Sequence, residues 1–184
     1  IDPSRRVLGV IRPTVECIGD LTQNRHVGIL ATSGTIKSES YLLEIEKLFP
    51  DVTVTGEACP MWVPLVENNE YDSEGADYFV QKHIRQLLAK DPDIDTLILG
   101  CTHYPLLIEK IRQFTPSHIR IVPQGEYVAQ SLQNYFRRHP EMDNRCTKEG
   151  TCRFLTTESE TKFEESASIF LQQEDIHVER IILE

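Results

Sequence analysis

Where the apolar run TLILG (96–100) stops, Cys101, Thr102, His103 and Tyr104 follow one another without a break, and Pro105 comes next. A thiol is a nucleophile and a proton carrier, an imidazole two residues on can supply or relay its proton, and a hydroxyl with its own N–H can hold an anion. The run before them lacks polar alternation, as expected of a central strand buried on both sides. Pro105 suits the first turn of a following helix, where its missing N–H would have had no partner anyway. The pattern therefore predicts a thiol between a buried strand and a helix N-terminus. The helix dipole and unpaired N–H groups there stabilise a thiolate, so a lowered pKa is expected for Cys101. A single cysteine after a strand is more often a small buried hydrophobe. The unbroken series of reactive types before a helix speaks for chemistry, and the residues alone leave both readings open.

Two other strand ends carry suitable side chains. HVGILA (26–31) is followed by TSGTIKS (32–38), in which Ser33 is read as the helix N-cap, Gly34 as allowing close backbone approach, and Thr35 and Ser38 as hydroxyls at the helix start. That is a small cradle for a carboxylate or phosphate, and equally an ordinary N-cap. In VTVTGEACPMWVPLVE (52–67), Cys59 before Pro60 reads as structural, while Glu67 is either a pocket acid or a solvated helix end. Cys101, His103 and Cys59 are three metal-ligand types, yet C-x2-C and H-x3-H spacings are missing and Cys146 with Cys152 is too loose a pair. No metal site is expected. A Cys-His hydrolase would draw its His from a distant segment, and no orienting Asn or Asp can be picked out.

The elements that must position these residues follow from periodicity. Short β-branched runs predict strands at RVLGVI (6–11), HVGILA (26–31), VTVTGEA (52–58), TLILG (96–100), IRIV (119–122), RFLTT (153–157) and HVERIIL (177–183). Helical patterns fill 35–49, 74–90, 125–138 and 160–173; in the second, Val80, Ile84, Leu87 and Leu88 share one face. Steady alternation of strand and helix predicts an α/β fold, a mostly parallel sheet with helices on both faces, whose ligands bind at the carboxyl ends of the strands. The polar, turn-rich HPEMDNRCTKEGT (139–151) is expected to be an exposed loop.

At 184 residues and 40% apolar content, the chain can form one large domain or two small lobes. Its net charge of −10 argues against nucleic-acid and anionic-membrane partners, which need clustered Lys and Arg. No apolar run approaches the roughly 18–20 residues that span a bilayer, and the first residues lack the pattern of a signal peptide. A cytoplasmic protein is expected. Five cysteines, an odd count in a chain of this size, argue against a secreted disulfide framework.

GCTHYPLL (100–107) closely resembles the second catalytic-cysteine signature of the glutamate racemase family. GVIRPTVE (9–16), VGILATSGTIKS (27–38), EACPMWVPLVE (57–67) and RFLTTESETKFEESASIFL with VERIIL fit the same family in the same order. The related aspartate racemases typically carry Glu where this chain has His103. Departures are Arg12 where many members have Glu, PQGE (123–126) in place of an Asp-Ser-Gly-like turn, and an apparent insertion at 139–151.

The resemblance implies a cofactor-independent, two-base interconversion of L- and D-glutamate for peptidoglycan synthesis. Two cysteines face the α-carbon from opposite sides. Cys101 would be the acid/base acting on L-glutamate, His103 would tune or relay its protons, Thr102 and Thr35 would hold the substrate's charged groups, and Glu67 would stand beside the pocket. Members have two pseudo-symmetric lobes; 8–124 would be the second and 125–184 would return to complete the first. The first lobe's Asp-Ser turn and Cys-Asn-Thr segment are not found here. About the first third of the family chain is thus expected to be missing, leaving one of the two catalytic cysteines and an inactive isolated fragment. Unpaired sheet edges would favour association, with a homodimer as the form expected. The competing expectations are a non-catalytic lobe that binds a small dicarboxylate or a partner, and a thiol hydrolase or decarboxylase.

Overall fold

In the computed structural model, which describes residues 7–183, the apolar runs become strands where neighbours can bury them on both sides. They are β1 (His26–Ala31), β2 (Thr53–Ala58), β3 (Thr96–Leu99) and β4 (Arg120–Pro123), all parallel, in the order β2-β1-β3-β4. β3 is buried at every position and β1 at all but His26, as their unalternating composition requires.

Helices cover both faces. On one, Val15, Ile18, Tyr41 and Ile45 pack with Val27, Ile29, Ile98 and Val122; these come from α1 (Ile11–Glu16), α2 (Ile18–Leu21) and α4 (Ser40–Leu48), which α3 (Ser33–Lys37) precedes. After α5 (Trp62–Glu67), α6 (Glu74–Lys90) lies on the other face and buries Val80, Ile84 and Leu87. A Cβ built on Gly28 would stand 2.9 Å from Leu87 Cδ2, so a side chain there would force the Leu87 methyl to move. The Ser73 hydroxyl caps α6 by accepting from the Ala76 N–H at 3.2 Å, with Glu74 and Asp77 in the first turn and Lys90 in the last. A 3-10 turn (Tyr104–Leu107), α7 (Ile108–Phe114) and α8 (Gln124–Arg138) follow.

The chain divides into two compact units inside α8, between Tyr135 and Phe136. The later unit holds α9 (Pro140–Asp143), β5 (Phe154–Thr156), α10 (Glu160–Leu171) and β6 (Val178–Arg180), with β5 and β6 paired in parallel. The α/β class, the parallel sheet and the helices on both faces are as expected.

Three expectations are corrected. The run 6–11 is not a strand where it is described: residues 7–10 are irregular, Val7, Leu8 and Val10 are exposed, and Ile11 opens α1. Pro13 decides this, since it cannot donate to a ladder but is tolerated in a first helical turn. Residue 6 lies outside the described residues. The single helix at 35–49 is two, broken at Glu39 with φ 53°, where the Ser38 and Ser40 hydroxyls bond each other at 2.8 Å and compete with the helical backbone. The expected loop 139–151 contains the one-turn α9, with Pro140 at its first position.

Buried acids of high pKa make alkali destabilising. Burial pushes the Cys59 thiol and the Tyr104 phenol far up, and Tyr41 from 10.0 to about 12. A raised folded-state pKa contributes stability that is fully present below the unfolded value and is lost as pH rises through the folded one. For Tyr41 that window is pH 10 to about 12. Urea midpoints are therefore expected to fall steeply between pH 9 and pH 11; an unchanged midpoint would contradict the burial of these groups.

Candidate active site

Parallel pairing sets the tips of β2, β1 and β3 side by side, and two bonds beyond the sheet lock them. Gly100 N–H donates to Leu30 O, and Cys59 N–H donates to Ala31 O, both at 2.8 Å. A Cβ on Gly100 would lie 3.1 Å from Ala31 Cβ, 3.2 Å from Tyr41 Cε2 and 3.3 Å from Leu30 O. The missing side chain lets the tip of β3 sit this close to β1, which fixes where Cys101 begins.

Cys101 is half-buried, and its Sγ lies 3.8 Å from His103 Nδ1. The other ring nitrogen, His103 Nε2, is 2.5 Å from Glu67 Oε1, the last residue of α5. With Nε2–H donating to the carboxylate, Nδ1 accepts a proton from the thiol in the neutral imidazole and donates to the thiolate once protonated. Cys101, His103 and Glu67 thus form a relay along which one proton can move away from the sulfur and back.

The sulfur's resting state differs from expectation. Burial pushes the Cys101 thiol up against the pull of the His103 and Tyr104 backbone N–H groups, and the net direction is upward. The expected drop rested on a helix dipole, but a four-residue 3-10 turn follows the strand and α7 starts only at Ile108. Burial therefore favours the protonated thiol at Cys101, with the His103 ring beside it.

Two buried aromatic rings hold the relay's halves together. Trp62 opens α5, Tyr104 follows His103, and both are fully buried with centroids 4.7 Å apart, edge to face. Tyr104 OH donates to Cys59 O at 3.3 Å and Trp62 Nε1–H to Phe79 O at 3.4 Å. The segments that carry His103 and Glu67 cannot separate without opening this contact.

At the tip of β1 the cap is Thr32, not Ser33: the Thr32 hydroxyl accepts from Thr35 N–H at 3.3 Å and bonds the Thr35 hydroxyl at 3.0 Å. Ser33 is the first helical residue because only Thr32 has the extended conformation of a cap. Gly34 meets open space where a Cβ would stand, so packing does not demand it. Ser38 donates to Thr35 O at 2.8 Å. Thr102 is exposed beside the relay.

Sequence reasoning passed over Thr32, Tyr41, Gln124 and the Trp62–Tyr104 pair. Tyr41 and Trp62 are buried, at 4% and 0% exposure. Among the described residues, His26, Asp91 and Asp93 offer ligand atoms within 4.8 Å of one another, at the amino end of β1 and away from Cys101; Asp91 is held by His26 Nδ1 at 2.9 Å. Cys146 and Cys152 are exposed free thiols.

Residues 6–131 match the family described as Asp/Glu/Hydantoin racemase. The chain is 38% identical over 180 residues to glutamate racemase of Streptococcus agalactiae, covering 96% of this chain and 66% of the relative. It is 39% identical over 182 residues to that of Enterococcus faecalis, at 96% and 64%. Among solved structures, a glutamate racemase isoform from Bacillus anthracis superposes with TM-score 0.87 at 30% identity, covering 99% of this chain and 66% of that one. The Francisella tularensis enzyme, solved in complex with D-glutamate, gives 0.81 at 27%, covering 98% and 65%. The chain spans just under two thirds of the length of these relatives.

Proposed function

The chain belongs to the Asp/Glu/Hydantoin racemase family, and we propose that it carries one half of a cofactor-independent glutamate racemase site supplying D-glutamate for peptidoglycan in the cytoplasm. The relay Cys101–His103–Glu67 at a strand tip is the observation that carries this reading. Cys101 serves one face of the α-carbon, the face presented by L-glutamate. His103 takes the thiol proton, the thiolate removes the α-proton, and the reverse sequence delivers a proton to the same face. Glu67 orients the imidazole and offsets the charge it gains. Thr102 and Thr35 hold the substrate's charged groups, and backbone N–H groups at the strand tips face the charge that develops on its carboxylate. A two-base reaction needs a second carrier on the opposite face. We place it in the part of the relatives' length that this chain does not span, so the 184 residues alone are expected not to racemise glutamate. Association of two copies belongs to the same reading, since Leu155 and Leu171 of the later unit are 43% and 51% exposed.

Circular dichroism of free L- and D-glutamate incubated with the protein that carries this segment tests the proposal. Interconversion of both enantiomers supports it. Calorimetric binding of glutamate without interconversion would make the lobe a binding module, and an acyl adduct on Cys101 would make it a thiol hydrolase.

Glu67→Gln keeps the shape of the relay and removes its charge. A hydrogen bond to a charged group contributes about 1.5 kcal/mol or more, so turnover is expected to fall about tenfold or further with little change in KM. Steady-state kinetics that match the parent would reduce the His103–Glu67 pair to a surface contact.

A further inference from the structure

We infer that Gln124 is a positioning residue for Cys101, its side-chain amide tying Tyr41 to the tip of β3 and so setting how deeply the thiol sits. The inference rests on the reading of Cys101 as a proton carrier. Gln124 opens α8 directly after Pro123, which is paired in register with Leu99. Its side chain turns back under the strand tip, where Nε2 donates to Leu99 O at 2.9 Å and also to the Tyr41 hydroxyl. One amide nitrogen with two N–H groups can serve both acceptors; a hydroxyl or a carboxylate cannot.

What this holds in place is the floor of the site. Tyr41 is 4% exposed, and its ring fills the space that a side chain on Gly100 would take, with Cε2 3.2 Å from that position. Gly100 is the residue before Cys101. Burial is the main cause that raises the Tyr41 phenol, the Gln124 bond opposes it, and the charge of Cys101 adds to it. With the amide bonds in place, Tyr41 and the tip of β3 form one unit, and Cys101 stays half-buried within reach of the His103 and Tyr104 N–H groups. Without them the ring can turn away from Gly100, and water reaches the sulfur from below.

The test is iodoacetamide alkylation of the 184-residue chain as a function of pH, read cysteine by cysteine by peptide mass spectrometry, comparing the parent with Gln124→Met. Methionine keeps the length and bulk of the side chain and removes both donors. Since burial is what raises the thiol, the midpoint for Cys101 is expected to move down by about half a pH unit or more, and its limiting rate to rise about threefold, with buried Cys59 unchanged. A Cys101 profile that superimposes on the parent's overturns the inference. So does parallel acceleration at Cys59, which would mean that the whole lobe has loosened. If Gln124→Met does not fold, Tyr41→Phe decides: it keeps the ring and drops the acceptor, and the midpoint must move in the same direction. Glutamate takes no part in these measurements, so failure of the racemase reading and failure of this one are told apart.

Discussion

Cys101→Ala is expected to lower glutamate racemisation by the protein carrying this segment by about three orders of magnitude, within the range that a positioned acid/base contributes. The loss should fall on turnover and not on substrate affinity, because the thiol acts on the α-proton and takes no part in holding the charged groups assigned to Thr102 and Thr35. Cys101→Ser is the sharper comparison. It preserves the half-buried position and nearly the volume, but a hydroxyl is a far weaker acid than a thiol and cannot be charged by His103 at neutral pH. A serine variant with the parent's melting temperature and a residual rate near that of the alanine variant is the expected result. If serine retained a tenth of the activity or more, the sulfur would not be the proton carrier.

Trp62→Ala is expected to cost about 3–5 kcal/mol, as for other large-to-small changes at fully buried aromatic positions. Trp62 has no exposed surface and lies edge-on to Tyr104 and His83, with ring centroids 4.7 Å and 6.3 Å away. Its removal leaves a cavity beneath the turn that carries Cys101 and deprives Phe79 O of a donor. Domains of ordinary stability have about 5–15 kcal/mol in total, so much of the folding free energy is at stake. Urea denaturation reads this directly, and Trp62→Phe, which keeps most of the ring contact, should cost far less. A change below about 1 kcal/mol for the alanine variant would show that the surrounding side chains collapse into the gap and that the aromatic pair does not set the relay.

How much could be read from sequence depends on how local the determining interaction is. β1 at 26–31 and α6 at 74–90 follow from side chains within each segment: an apolar run without alternation, and a repeat of Val80, Ile84 and Leu87. The break at Glu39 was missed because it depends on hydroxyls of Ser38 and Ser40 that the apolar periodicity ignores. Residues 7–11 of the expected first strand do not form one, because β propensity is fulfilled only beside a pairing edge, while Pro13 favours a helical first turn.

The site divides in the same way. Cys101 and His103 are two positions apart, and their types alone suggest proton transfer. Glu67, 36 positions from His103, read from its own segment as either a pocket acid or a solvated helix end, and only the family resemblance placed it beside the pocket. Gln124 bonds Tyr41 across 83 positions, and nothing in either segment announces the contact. The direction of the Cys101 pKa could not be had from sequence, because it depends on burial and on a 3-10 turn where a longer helix was expected.

The central claim, that the Cys101 sulfur exchanges the α-proton of glutamate, is tested most directly in deuterium oxide. L-glutamate is incubated with the parent protein and with Cys101→Ser, and loss of the α-proton signal is followed by proton NMR. Deuterium entering at the α-carbon with the parent, and slowed at least a hundredfold by the substitution in a protein that remains folded, is the predicted result. Wash-in at the parent's rate in the Cys101→Ser protein would contradict it.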